Sequence, residues 1–255
     1  IREQDIGTSE WKDWRWQLRA CGNMPVFGSL PDGGAGAQDV VEIYPWRATP
    51  YYLSLAAPGN AMDPIFRQCM PDKRELEENG GREYSSDPFG EIEYMPVERL
   101  IHRFRDRVLV FAHDQCAVNC RHCTRKNTIR QASHWASLED CLGDITEYLI
   151  KHGEIREVLF SGGDPLLMET ERLDRALEML RRASTVEVIR IGTRVPVTLP
   201  MRIDDELCDM LARHRPLWLN TQFNHHVEIT EDSIRACEMF ICRGIPVSNQ
   251  SVLLR

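Results

Sequence analysis

No stretch of this chain stays apolar for the roughly 20 residues that a membrane-spanning helix needs. The first residues show no charged-then-apolar leader. Positive charge is also scarce: 31 Lys and Arg against 39 Asp and Glu leave a net charge of −8. That balance argues against nucleic acid or an anionic membrane surface as partner. No internal repeat is evident, which excludes solenoid and propeller arrays. Nine cysteines, an odd number with one tight group, do not suit a secreted disulfide framework. A cytoplasmic location is therefore expected. With 255 residues, 42% of them apolar, the chain can bury one large α/β core or two small ones. It starts at Ile1 rather than Met and stops at Arg255 inside an apolar run, so both ends are expected to be truncated.

What is present centres on Cys116, Cys120 and Cys123, spaced C-x3-C-x2-C just after the strand-like run 107–113. Cubane iron–sulfur clusters are held by Cys thiolates, usually four of them. Three leave one iron open to a small molecule, as a catalytic zinc keeps one position open. The amine and carboxylate of S-adenosylmethionine fit that corner as a chelate. An electron from the cluster would then break the sulfonium C–S bond and give a 5′-deoxyadenosyl radical, chemistry that belongs to the cofactor. This spacing is the signature of the radical S-adenosylmethionine superfamily. One alternative is structural zinc on the three cysteines plus His122, though such sites usually pair two separated C-x2-C arms. The other is three unconnected thiols.

Ahead of the cysteines, residues 8–20 read as one helix capped by Thr8 or Ser9, with Trp11, Trp14 and Leu18 on one face and Trp16 elsewhere. This reads as a docking helix that buries its tryptophans against the domain or another subunit. Residues 22–39, rich in Gly and Pro, read as a loop. Residues 40–100, including the acidic Glu75-Leu-Glu-Glu78, read as short helices and loops wrapping a core. Thus 1–100 is expected to be an N-terminal extension and 101–255 the catalytic unit.

From about residue 106 strands alternate with helices. Strands are expected at Val108–His113, Glu157–Ser161, Glu187–Gly192, Leu217–Gln222 and Ile245–Ser248. Helical spacing of apolar residues is centred on Leu142, Leu177, Leu211 and Cys237. Such alternation implies right-handed βαβ units and a parallel sheet, hence an α/β fold forming a partial parallel β/α barrel. Chemistry in barrels sits at the C-terminal ends of strands.

Each candidate motif lies at such an end. His122 is placed to stack on an adenine ring, or is a solvated loop residue. Arg125 offers a bidentate guanidinium to a carboxylate or phosphate, or is a surface charge. In Ser161-Gly162-Gly163-Asp164-Pro165 two glycines let backbone approach a ligand. Their amides could meet S-adenosylmethionine, with Asp164 accepting from its ammonium; an ordinary strand-to-helix turn reads the same way. Gly192-Thr193-Arg194, the segment Asn220–His226 and Asn249-Gln250 either line a cavity or form a polar rim. His225 and His226, adjacent on the chain, are not assigned a metal. Arg103, Arg105 and Arg107, just before the first strand, either grip a phosphate or form a charged surface turn.

With these pieces in place the chain resembles the lysine 2,3-aminomutase family of radical S-adenosylmethionine enzymes. The resemblance runs through Trp11-Lys-Asp-Trp-Arg-Trp-Gln17, Thr49-Pro-Tyr-Tyr-Leu-Ser-Leu55, His102-Arg103, Asp106-Arg107-Val108 and Cys120-Arg-His-Cys-Thr-Arg125. It continues through Ser161-Gly-Gly-Asp-Pro-Leu-Leu167, Phe223-Asn-His225 and Asn249-Gln-Ser-Val-Leu-Leu-Arg255. It implies a [4Fe–4S] cluster on Cys116, Cys120 and Cys123, S-adenosylmethionine on the open iron, and pyridoxal 5′-phosphate holding the substrate amine. It implies hydrogen abstraction from Cβ and migration of the amine from Cα to Cβ. It further implies Arg103 and Arg107 near the pyridoxal phosphate group, Gln250 near the same cofactor, and Arg125 facing the substrate carboxylate. An amino-acid substrate, an electron donor such as flavodoxin or ferredoxin, and a homo-oligomer are expected with it. Phe104 stands where well-studied lysine mutases carry a tyrosine. The family's pyridoxal-anchoring lysine and the acidic residues that select a lysine side chain lie beyond Arg255, so the substrate is left open. Two other readings remain: a mutase acting on a protein-bound lysine, and a truncated, non-catalytic iron–sulfur protein.

Overall fold

The computed structural model describes residues 7–22, 37–57, 59–76, 87–132 and 134–254. The helix expected over 8–20 is two helices, Thr8–Lys12 (α1) and Trp14–Ala20 (α2). The break falls at Asp13, whose carboxylate accepts from the Arg15 amide at 2.9 Å and so caps α2. Thr8 and Ser9 lie inside α1 and do not cap it. Trp11 and Trp14 are buried as expected, with the Arg15 and Arg202 guanidinium carbons 4.4 and 4.8 Å from the Trp14 ring.

Most of the glycine-rich loop, 23–36, lies outside the described residues, as do residues 77 and 78 of the acidic run. Ala37–Ile43 (α3) begins within the stretch expected as loop. Pro50–Ser54 (α4) and Pro64–Cys69 (α5) follow, each opened by a proline after a capping Thr49 or Asp63.

The segment 101–107, read as leading into the first strand, is part of a hairpin. Leu100–Phe104 (β1) pairs antiparallel with Arg107–His113 (β2). Leu100 and Ile101 are buried and anchor β1, while Arg103, Phe104 and Arg105 project into solvent at its far end. An element with one buried end and one charged end shows no alternation to read. After β2 come Lys126–Ala132 (α6) and Leu138–Lys151 (α7), then Glu157–Gly162 (β3), Thr170–Arg181 (α8), Val188–Gly192 (β4) and Val195–Thr198 (α9). Asp205–Arg213 (α10), Leu217–Thr221 (β5), Glu231–Ile241 (α11) and Val247–Asn249 (β6) complete the order. The six strands stand in chain order, and β2 to β6 are all parallel. This is a partial parallel β/α barrel, with one strand more than expected.

Side chains alternate across each strand. Val158, Phe160, Ile189, Ile191, Leu217 and Leu219 enter the main core with the apolar faces of α7, α8 and α10. The other face carries Leu109 and Phe111, packed with Ile129 and Trp135, and then the more open Glu157, Arg190 and Trp218. A separate cluster joins Trp46, Tyr52, Ile65 and Cys69 to Val118 and Val197, so the N-terminal extension sits on the cysteine loop.

Candidate active site

The cysteine loop leaves the C-terminal end of β2 and is held from two sides. Beneath it, the Gly163 and Asp164 amides donate to the His113 and Gln115 carbonyls, both at 2.7 Å. Above it, the Asn119 amide donates to the Arg47 carbonyl and the Arg121 amide to the Gln68 carbonyl, both at 2.8 Å. Cys116, Cys120 and Cys123 all line one cavity of about 380 Å³. Arg121 pairs with Glu75 at 2.7 Å and Lys126 with the same carboxylate at 3.0 Å, tying the extension to the cavity wall.

The donor set suits a cluster better than one ion. Among the described residues no group of three or more His, Cys, Asp or Glu gathers as a single metal ion requires. A cubane instead binds each thiolate to a different iron, which needs sulfurs spread around a cavity. Burial pushes the Cys116 thiol well above its ordinary value, and Asp164, Cys123 and Cys120 add to this. Burial, then Cys120, pushes Cys123 up to about 11. Three bare thiolates would repel one another there, so a cationic iron centre is what would ionise them.

In the Ser161–Asp164 turn, Gly163 and Asp164 have partners within the protein. The Gly163 and Asp164 amides face the cysteine loop. A Cβ on Gly163 would fall 2.6 to 2.7 Å from Gln115 and His113 backbone atoms, and one on Gly162 would fall 2.6 Å from Phe111 Cδ1. Gly162 also has φ +109°. The glycines are needed because two strand ends approach closely. The Asp164 carboxylate is buried and accepts from Thr193 Oγ1 at 2.6 Å, the Arg194 amide at 2.8 Å and the Leu166 amide at 3.2 Å. It joins the ends of β3 and β4, which a carboxylate with four lone-pair sites does well. Ser161 lies on the same turn, against Gly192.

His122 borders a second cavity of about 280 Å³ with Arg67, Asn224 and His225. Its Nε2 lies 3.4 Å from Asn224 Nδ2, and its buried Nδ1 has no partner among the described residues. Burial, then the Arg194 charge, lowers its pKa to about 4, so the ring is neutral near pH 7. Arg125 grips Glu91 with Nε and Nη2 at 2.8 and 2.5 Å. The fork expected for a substrate carboxylate is thus engaged by an internal one.

Of the three residues expected around pyridoxal phosphate, Arg103 and Arg107 share the β1–β2 hairpin and Gln250 lies apart from them. Arg107 opens β2 and pairs with Asp106 at 3.0 Å, and Arg103 stacks over Tyr94 at 5.8 Å. Gln250 follows β6, its amide on the Thr221 carbonyl at 2.8 Å. Strand pairing sets Gln250 about six residues beyond the level of Arg107, roughly 20 Å along the strand direction. Gln250 borders an open cavity with Asn220 and Ser248, and neither arginine lines it. Phe104 is exposed.

Residues to which the sequence gives no definite role hold the site together. Arg194, 8% exposed, donates from Nη1 to Cys120 Sγ at 2.7 Å and from Nη2 to Glu228 Oε1 at 2.8 Å. Tyr52 and Gln68 lie 3.2 Å from that same Nη2 and also donate to Glu228. Glu228 is fully buried. Arg194 was visible only as one of several polar residues at strand ends, and nothing in the sequence marked Glu228.

Residues 111–254 match the family model of the Radical SAM superfamily, which covers the cysteine loop and β3 to β6. A three-cysteine loop on a partial β/α barrel therefore defines a radical S-adenosylmethionine protein. The L-lysine 2,3-aminomutase of Clostridium subterminale is 40% identical over 257 residues, spanning 99% of this chain and 61% of that protein. A protein of Aquifex aeolicus given the same name provisionally is 38% identical over 258 residues, 99% of this chain and 69% of its own. The glutamate 2,3-aminomutase of Clostridioides difficile is 35% identical over 254 residues, 97% of this chain and 59% of that enzyme. The chain belongs to the lysine 2,3-aminomutase family. It spans about three fifths of the length of most of these curated relatives.

Proposed function

We propose that the protein is an isomerase that moves an amino group from Cα to Cβ of an amino acid, with lysine as the first substrate to test. The observation that carries the reading is the three cysteines lining one cavity at the end of β2, in a chain whose relatives are named for this reaction. Lysine comes before glutamate because the lysine-named relative is the more similar, 40% against 35%.

Cys116, Cys120 and Cys123 would hold a [4Fe–4S] cluster, and S-adenosylmethionine on its open iron supplies a hydrogen-abstracting radical when reduced. The packing of Val118 against Trp46 and Tyr52 keeps water from the loop's inner side. Neutral His122 presents an uncharged ring face suited to an adenine. Arg125 has the geometry for a carboxylate, and a substrate would displace Glu91 from it. The requirement for pyridoxal phosphate is carried by kinship, and no step is derived through it. An external one-electron donor such as flavodoxin or ferredoxin completes the reading. No helix among the described residues is long and apolar enough to cross a membrane.

Reduced, anaerobic protein is incubated with S-adenosylmethionine, pyridoxal phosphate and lysine, arginine, glutamate or alanine in turn. The expected result is a β-amino acid from lysine, together with an absorbance band from bound pyridoxal phosphate. Absence of a β-isomer from all four, with cluster and both cofactors bound, refutes the reading.

A further inference from the structure

We propose that Arg194 is a positioning residue for the cluster. It donates a charge-assisted hydrogen bond to the Cys120 thiolate and thereby raises the cluster's reduction potential, while Glu228 limits that effect. The inference rests on the cluster assignment above and adds a residue that the cysteine pattern does not contain.

The geometry is specific. Arg194 Nη1 lies 2.7 Å from Cys120 Sγ, and Nε lies 3.3 Å from the Gln222 carbonyl. Nη2 meets Glu228 at 2.8 Å. Arg194 and Glu228 are both buried, so their interaction and the N–H···S bond are little screened. The guanidinium plane is held on both sides of its fork, which directs Nη1 at the sulfur. Hydrogen bonds to ligating sulfurs and local burial are levers on iron–sulfur potentials. An added electron raises the negative charge on the thiolates, so a donor at Cys120 favours the reduced cluster. The Glu228 carboxylate, one guanidinium away, offsets most of the net positive charge but leaves the directed N–H in place. Tyr52 on α4 and Gln68 on α5 both hold this pair, so the N-terminal extension shares in setting the potential.

Arg194→Lys keeps the charge but cannot span Cys120 and Glu228 together. Glu228→Gln removes the negative charge and leaves one acceptor oxygen, which can serve Tyr52 or the Asn224 amide but not both. The test is an EPR-monitored redox titration of reconstituted wild-type and variant proteins, with iron and sulfide measured on each. The expected result is a more negative midpoint in Arg194→Lys and a more positive one in Glu228→Gln. Each shift should be roughly tenfold in the one-electron equilibrium, about 59 mV. Loaded variants that titrate with the wild type, or shift in the same direction, overturn the inference. Unchanged midpoints with weakened S-adenosylmethionine binding also overturn it, assigning Arg194 to that ligand instead. A wild-type chain that assembles no cluster overturns the underlying functional reading, which separates the two failures.

Discussion

Gly163 occupies a point where a side chain has no room. An added methyl would press on three backbone atoms of Gln115 and His113, which cannot swing aside as a flexible side chain would. Overpacking of this kind costs about 1–3 kcal/mol. The strain would fall on the start of the cysteine loop, through the bond between the Gly163 amide and the His113 carbonyl. Gly163→Ala is therefore expected to lower the melting temperature and to reduce iron retained after reconstitution. Full iron content at an unchanged melting temperature would show that the close approach does not matter. The close approach that two glycines allow is legible in the sequence; the structure shows Phe111, His113 and Gln115 as protein neighbours at that point.

Two elements show how local chemistry and tertiary anchoring divide the work. The helix break at Asp13 is local: its carboxylate reaches the Arg15 amide and lets α2 restart with Trp14 aimed into the core. Asp13→Ala removes that cap and should cost about 1 kcal/mol in denaturant unfolding, with Asp13→Asn recovering most of it. Equal losses for Ala and Asn would rule out a capping role. The β1–β2 hairpin is the opposite case. Its tip is charged and exposed, and it forms because Leu100 and Ile101 are buried beside Val110 and Leu109.

At the scale of the whole molecule, burial makes stability depend on alkaline pH. Burial pushes the Cys208 thiol up to about 12 from 9.0. It likewise pushes the Tyr51 hydroxyl up to about 12 from 10.0, against a hydrogen bond with Thr230. In both, the folded chain keeps a proton that the unfolded chain has already released. The stabilisation is complete below the unfolded values and fades as pH climbs from about 9 to 12. Urea midpoints for protein free of metal should fall steadily across that window, and Cys208→Ala should flatten the lower part of the decline. A midpoint that stays level to about pH 12 would contradict the assignment.

The sequence by itself determined the cysteine trio, the run of alternating strands and helices, and the family. These depend on spacing within a few residues, which covalent geometry and side-chain periodicity carry directly. Only the tertiary structure decided which groups meet. Arg194 reaches Cys120 across 74 positions and Glu228 across 34, and no local pattern marks a buried ion pair between strand ends. The same holds for the Ser161–Asp164 turn, whose amides serve the cysteine loop, and for Arg125, whose fork holds Glu91. A donor's chemistry is written in its residue type, but its partner is chosen by which strand ends the sheet brings side by side.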